Sequence, residues 1–216
     1  MAIGLKLGLS KVHFPVRALG PGRRIGIWFQ GCSIRCPGCM SRDTWAAPRT
    51  FATVEALVAK ISVWLPEADG ITISGGEPFD QPEALAALLA QVHLLSECSI
   101  LVYSGYPFET LLDKHPQVLA AIDVLISEPF DGTQQQKALL RGSANQQVRC
   151  LTERGAALWR LAQAGCEGGL DLIIEADGSV WMAGIPAPGD LERLGNRLWK
   201  AGVQAGTSAG RLGGIP

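Results

Sequence analysis

Two kinds of apolar pattern alternate along the chain. Short, nearly continuous apolar runs bounded by glycine or turn residues occur at 24–30 (RIGIWFQ), 70–74 (GITIS), 99–103 (SILVY) and 123–127 (DVLIS). Their length and their content of Ile, Val and aromatic residues predict buried strands, and 147–150 reads as one more. Between them the apolar residues fall at helical spacing. Thr53 caps a helix in which Leu57, Val58, Ile61 and Trp64 recur and which Pro66 closes. Residues 82–95 form an amphipathic helix with Pro82 in its first turn and Asp80 as its expected cap. Segments 107–112 and 117–122 are shorter and helical. Strand and helix in alternation, joined by short connections, predict parallel βα units in an α/β sheet or an open barrel. Such folds bind ligands beyond the C-terminal ends of their strands. The polar, glycine-bearing loops all follow strands: Cys32 the first, Gly75-Gly76-Glu77-Pro78 the second, and Ser104-Gly105-Tyr106 the third. They are expected to meet on one rim.

The texture changes near residue 151, which divides the chain into a core over 1–150 and a small C-terminal α+β extension over 151–216. Residues 154–164 suggest a helix. Residues 170–175 and 180–183 suggest a hairpin around an Asp177-Gly178 turn. Residues 190–201 suggest a helix capped by Asp190, and the Gly-, Ala- and Ser-rich 202–216 a loose tail.

Composition narrows the class. Of 216 residues, 47% are hydrophobic and 18% charged, enough apolar material for a packed core. The formal net charge of −1 offers no basic field for nucleic acid or for an anionic membrane surface. No apolar run approaches the ~18 residues of a membrane span. Residues 1–10 lack a long apolar segment and read as mature protein, so a cytoplasmic location is the expectation.

Three of the six cysteines fall within eight residues, as Cys32-x3-Cys36-x2-Cys39. Thiolates suit zinc or an iron–sulfur cluster. A structural zinc site wants four protein ligands, usually from two separated pairs, and the histidines, His13, His93 and His115, stand singly. A [4Fe–4S] cube filled at three corners leaves one iron open. Cys98, Cys150 and Cys166 are isolated and are expected to be buried and inert. Trp28 and Trp45 flank the cysteine loop.

With this loop, the Ser74-Gly75-Gly76-Glu77-Pro78 segment and the strand pattern, the chain resembles the radical S-adenosylmethionine (SAM) superfamily. The resemblance implies a partial (β/α) barrel and a [4Fe–4S] cluster on Cys32, Cys36 and Cys39. It also implies SAM on the open iron, cleaved reductively to a 5′-deoxyadenosyl radical. It assigns Gly75, Gly76, Glu77 and Pro78 to the methionyl amino group of SAM and lets Ser104 offer a hydroxyl. Many members carry an aromatic residue before the third cysteine, where this chain has Gly38. The Cys-Pro-Gly-Cys form is instead similar to the group that activates anaerobic ribonucleotide reductase. Gly20-Pro21-Gly22 and the Arg141-Gly142-Ser143-Ala144-Asn145-Gln146 string also resemble that group. They place Arg141, Ser143 and Asn145 near SAM or in a loop-fixing hydrogen-bond cluster.

The function implied is activation of a glycyl radical enzyme by hydrogen abstraction, with a flavodoxin or ferredoxin as electron donor. A second reading is a stand-alone radical SAM enzyme modifying a small molecule or peptide, as the 7-carboxy-7-deazaguanine synthases do, its substrate site completed by the extra 65 or so residues. A third is a non-catalytic iron–sulfur or zinc module, against which the Gly-Gly-Glu-Pro segment speaks.

Overall fold

The computed structural model describes residues 4–134, 139–165, 169–174, 180–187, 189–202, 206–207 and 210–211. In chain order the strands and helices are β1 (Lys6–Leu7), β2 (Leu9–Val16), β3 (Arg24–Phe29), β4 (Ala52–Thr53), α1 (Val54–Ser62), β5 (Gly70–Gly75), α2 (Pro82–Leu95) and β6 (Ser99–Tyr103). There follow α3 (Phe108–Lys114), α4 (Pro116–Leu119), β7 (Val124–Ser127), β8 (Gln147–Cys150), α5 (Glu153–Gly165), β9 (Leu170–Ile174), β10 (Val180–Gly184) and α6 (Asp190–Lys200). Two short strands, β11 (Gly206–Thr207) and β12 (Gly210–Arg211), pair with each other.

One six-stranded sheet in the order β2-β3-β5-β6-β7-β8 organises the molecule. Its four central strands are parallel, as the βα alternation predicts. Its two outer strands are antiparallel to their neighbours. The sheet is open, and no barrel is closed among the described residues. Strand β2 was not legible in sequence because LSKVHFPV mixes Lys11, His13 and Pro15 into the apolar pattern. An edge strand tolerates that mixture, since only one of its sides must supply ladder hydrogen bonds.

The two faces of the sheet are covered differently. Ile25, Ile27, Phe29, Ile71, Ile73, Ile100, Val102 and Leu125 pack with Leu57, Ile61, Leu85, Leu88 and Leu119 of the helices. Each such side chain, fully withdrawn from water, contributes ~1.5–3 kcal/mol before entropy is charged. On the other face, Leu101, Val124 and Ile126 meet Leu158 and Ala162 of α5. There too Val16, Leu19 and Trp28 meet Ala183 of the β9–β10 hairpin, with Trp181 packed beside them. Trp181 stands edge-on to Trp28 at 5.2 Å. The Asp171 carboxylate accepts hydrogen bonds from Arg17 N at 2.7 Å and Ala18 N at 2.8 Å, fixing the hairpin to the segment after β2. The predicted Asp177-Gly178 turn, Cys166 and most of the tail lie outside the described residues.

Arg24 locks the N-terminal ends of three central strands. Completely buried, it donates to Thr72 Oγ1, Ser99 Oγ, Ile71 O and Ser99 O at 2.6–3.1 Å. Burial lowers its pKa to about 10. A Cβ on Gly70 would collide with the guanidinium, and one on Gly20 would meet the Arg24 side chain, so these glycines make room for it. Gly22, at φ +78°, lies against the Asp69 carboxylate, which accepts from Arg23 N. The Gly-Pro-Gly stretch is thus built around a structural arginine.

Two expected caps are corrected. The N-cap of α2 is Gln81, because the Asp80 carboxylate is committed to Ser33 across the rim. The N-cap of α6 is Gly189 in the left-handed region; Asp190 is the first helical residue and accepts from Ala187 N. Thr53 does cap α1, its hydroxyl accepting from Ala56 N. Among the described residues no helix is long and apolar enough to cross a membrane.

Candidate functional site

The loops after β3, β5 and β6 converge on one rim, as anticipated. Gly31 at φ +104° turns the chain out of β3 into the cysteine loop. The loop takes left-handed conformations at Arg35 and Gly38, which let the chain turn sharply between the cysteines. Cys39 N donates to Cys36 O, and Gly31 N and Cys32 N donate to Thr44 O and Trp45 O behind the loop. The strap after β5 lies against this loop: Gly76 N donates to Phe29 O and Glu77 N to Gly31 O, both at 2.8 Å. A Cβ on Gly76 would drive into Gly31 O, so glycine is required for that approach. Gly75 at φ +101° has the same constraint against the Phe29 backbone.

Cys32, Cys36 and Cys39 are half-buried, free thiols. Arg35 N donates to Cys32 Sγ at 3.5 Å and Ser41 N to Cys39 Sγ at 3.4 Å. The nearby Phe130 backbone favours the charged form of Cys36, against burial. Burial raises the pKa of Cys32 and of Cys36, and each of the other two thiols adds to the rise at Cys36. Among the described residues no three His, Cys, Asp or Glu side chains are already drawn together as a ligand set. The thiols share one loop without being gathered on a point.

Glu77 stands differently from its expected role. Its carboxylate is 1% exposed and fully engaged. Oε1 accepts from Phe79 N and Ser104 Oγ, both at 2.9 Å, and Oε2 accepts from Gly105 N at 2.8 Å. Burial pushes its pKa up from 4.5 to about 7. The carboxylate therefore ties the strap after β5 to the loop after β6. Pro78 is buried and opens the single turn that Glu77 caps. Ser104, also buried, spends its hydroxyl between Glu77 and Tyr106 N.

The late segment is a self-bonded loop one step removed from the thiols. Ser143 is completely buried and accepts from Asp131 N. Arg141 Nη1 donates to Gln146 O, and Asn145 Nδ2 donates to Pro129 O at 2.7 Å. Gln146 Oε1 accepts from Gly142 N, and its Nε2 donates to Glu128 O. These bonds shape 128–131, where Phe130 touches both Cys36 and Gly38. Arg141 Nε and Asn145 Oδ1 are buried without a hydrogen-bond partner.

Sequence reasoning missed Ser33, the rim role of Asp80, and Gln81. Gln81 accepts from Gly8 N and donates to Gly8 O and Gln30 O, anchoring the root of the cysteine loop. No local signal marks it; its partners are 51 and 73 residues away. Cys98 and Cys150 lie apart from the loop, but Cys150, on the edge strand β8, is exposed and Cys98 only half-buried, so neither is the buried thiol expected.

A cavity of about 410 Å³ opens beside Gly38, Cys39 and Met40 on the sheet face opposite α1 and α2. Trp28, Ser74 and Tyr103 form its floor at the strand ends, and Trp181, Met182 and Ala183 of the hairpin close one side.

The donor set fits a cluster: three soft thiols on one loop, half-buried, two of them with a backbone N–H directed at sulfur, the type of bond that tunes iron–sulfur centres. Arg141 Nε and Asn145 Oδ1 share their unpartnered state with Trp45 Nε1, behind the cysteine loop, and Arg149 Nε.

A loop of three free thiols on the C-terminal rim of a parallel sheet is the arrangement that the resemblance to radical SAM enzymes implies. A family model described as a 4Fe-4S single cluster domain matches residues 18–149. The anaerobic ribonucleoside-triphosphate reductase-activating protein of Salmonella typhimurium is 33% identical over 149 residues, covering 64% of this chain and 96% of that protein. The chain belongs to this radical SAM family of single-cluster activating proteins. The pyruvate formate-lyase-activating enzyme of Streptococcus mutans is 27% identical over 155 residues, 65% of this chain and 58% of that one. Among solved structures, QueE from Escherichia coli aligns with a TM-score of 0.41 at 20% identity, over 46% of this chain and 53% of that one.

Proposed function

We propose that the protein activates a glycyl radical enzyme, with an anaerobic ribonucleotide reductase as the first candidate partner. The observation that carries this is the near-complete coverage of a reductase-activating protein, at 33% identity, by a segment that holds the cysteine loop and its supporting straps. Cys32, Cys36 and Cys39 hold the cluster. When bound, the cluster and SAM supply reductive cleavage to a 5′-deoxyadenosyl radical, which takes a hydrogen atom from a glycine of the partner. The strap 74–78 offers SAM its backbone, held in place by Glu77. Ser104 acts through Glu77, and Arg141 and Asn145 supply the polar atoms left open beside the loop. Phe130 and the hairpin restrict water at the site. The open sheet is read as the partial barrel of the radical SAM type, with 1–150 as the core and 151–216 as an extension, of which α5 and strands β9 and β10 lie against the second face. The electron donor is a flavodoxin or ferredoxin, the location cytoplasmic, and nucleic acid has no part.

One observation favours a second reading. The hairpin that walls the cavity beside Cys39 lies outside the matched residues 18–149, so it could complete a site for a small molecule or peptide. Anaerobic reconstitution followed by dithionite and SAM separates the two. Activation predicts slow 5′-deoxyadenosine release without substrate and a glycine-centred radical signal when a candidate reductase is added. Tight coupling to a small molecule, with no radical on any reductase, would favour the second reading. No 5′-deoxyadenosine at all would refute both.

A further inference from the structure

Resting on the proposed cluster on Cys32, Cys36 and Cys39, we infer that Asp80, together with Ser33 and Tyr106, is a positioning clamp. It sets the shape of the cysteine loop and, through it, the reducibility and retention of the cluster.

The geometry is specific. Ser33 lies in the three-residue gap between the first two cysteines. Asp80 Oδ2 accepts from Ser33 N at 2.7 Å, and Oδ1 accepts from Ser33 Oγ at 2.9 Å. Tyr106 OH donates to the same Oδ1 at 2.8 Å and lies 2.9 Å from Ser33 Oγ. One carboxylate thus gathers the loops after β3, β5 and β6. The other bonds across this gap among the described residues are longer, from Arg35 N to Cys32 Sγ at 3.5 Å and from Arg35 Nε to Cys32 O at 3.3 Å. A backbone hydrogen bond within the loop closes its far side, from Cys39 N to Cys36 O. Behind the gap, a Cβ on Gly105 would collide with the Ile34 side chain, so the β6 loop also packs closely there.

The clamp has a rigid base. Asp80 N donates to Glu77 O, Gln81 next to it is tied to Gly8 and Gln30, and Pro82 begins α2. Tyr106 N donates to Ser104 Oγ, which donates to Glu77 Oε1. An outer carboxylate, Asp80, and a buried one, Glu77, therefore brace the same three loops at two depths. Asp80 is close enough for its charge to act on the Cys32 thiol. A fixed negative charge at that distance disfavours an added electron on the cluster, and charge and hydrogen bonding near the sulfurs are recognised determinants of iron–sulfur potentials.

The test uses the reconstituted, cluster-bearing full chain and variants Asp80→Asn, Ser33→Ala, Ser33→Thr and Tyr106→Phe. Three quantities are read: the reduction potential of the cluster, the rate of iron loss to a chelator, and the thermal midpoint of the cluster-free protein. Asp80→Asn should raise the potential and release iron about fivefold faster, the worth of about one net hydrogen bond. Tyr106→Phe should speed release without the same rise in potential, since it removes a bond and no charge. Ser33→Thr should restore what Ser33→Ala loses. The midpoint of the cluster-free protein should be unchanged in Tyr106→Phe, separating a clamp on the cluster from a general fold support. Variants that load and match the wild type in potential and iron release would overturn the clamp alone. A wild-type chain that takes up no cluster would overturn the reading beneath it as well.

Discussion

Glu77 shows how a residue can be legible in position and misjudged in role. The sequence marks a carboxylate after a Gly-Gly pair at a strand end, which suggests a ligand for an ammonium group. The structure buries that carboxylate and surrounds it with three donors of the chain itself. Its pKa of about 7 follows from burial outweighing those hydrogen bonds. Between pH 4.5 and 7 the folded chain keeps a proton that the unfolded chain has lost. Stability of the cluster-free protein therefore falls as pH rises through this window, by roughly 3 kcal/mol in full. Denaturant midpoints at pH 5.5 and 7.5 check this, and Glu77→Gln should flatten the dependence. At the thiols, changing any one of Cys32, Cys36 or Cys39 to Ala should abolish SAM cleavage and the cluster's visible absorbance. Retained cleavage would overturn the ligand assignment.

Among the elements, the β9–β10 hairpin carries the clearest expectation. Two backbone N–H groups, of Arg17 and Ala18, depend on the one Asp171 carboxylate. Asp171→Ala leaves them unpaired and should cost ~1–3 kcal/mol, with faster proteolysis in 170–184 than in the rest of the chain. Loss of stability with no local change in protection would mean that the hairpin is not held there. The strap after β5 makes a second case. Gly76→Ala pushes a methyl group into Gly31 O and must displace the root of the cysteine loop. It should impair cluster loading while leaving the helix content seen by circular dichroism near that of the wild type. The elements themselves were mostly readable, because the central strands are buried on both faces and so carry unbroken apolar runs. The exception, β2, is an edge strand. Its polar residues face solvent or the hairpin, so local pattern could not reveal it.

For the whole molecule, a cluster that binds only the folded chain adds its binding free energy to stability. Anaerobic calorimetry should find the cluster-bearing protein melting several degrees above the cluster-free form, and chelation should reverse the shift. Equal midpoints would imply that the cluster does not bridge the loop it is assigned to. The three thiols, their spacing, the glycine strap and the βα alternation are local features, written in neighbouring residues and therefore determined by the sequence alone. They sufficed for the α/β class and for the iron–sulfur chemistry. What tertiary structure decided is every role that depends on distant partners. It made Asp80 a tie to Ser33, 47 residues away, in place of a helix cap, and Arg24 a lock on three strands. It also laid the hairpin over the cavity beside Cys39. Such roles are set by which side chains meet when the sheet assembles, and a buried carboxylate or guanidinium takes whatever donors or acceptors that assembly brings within reach.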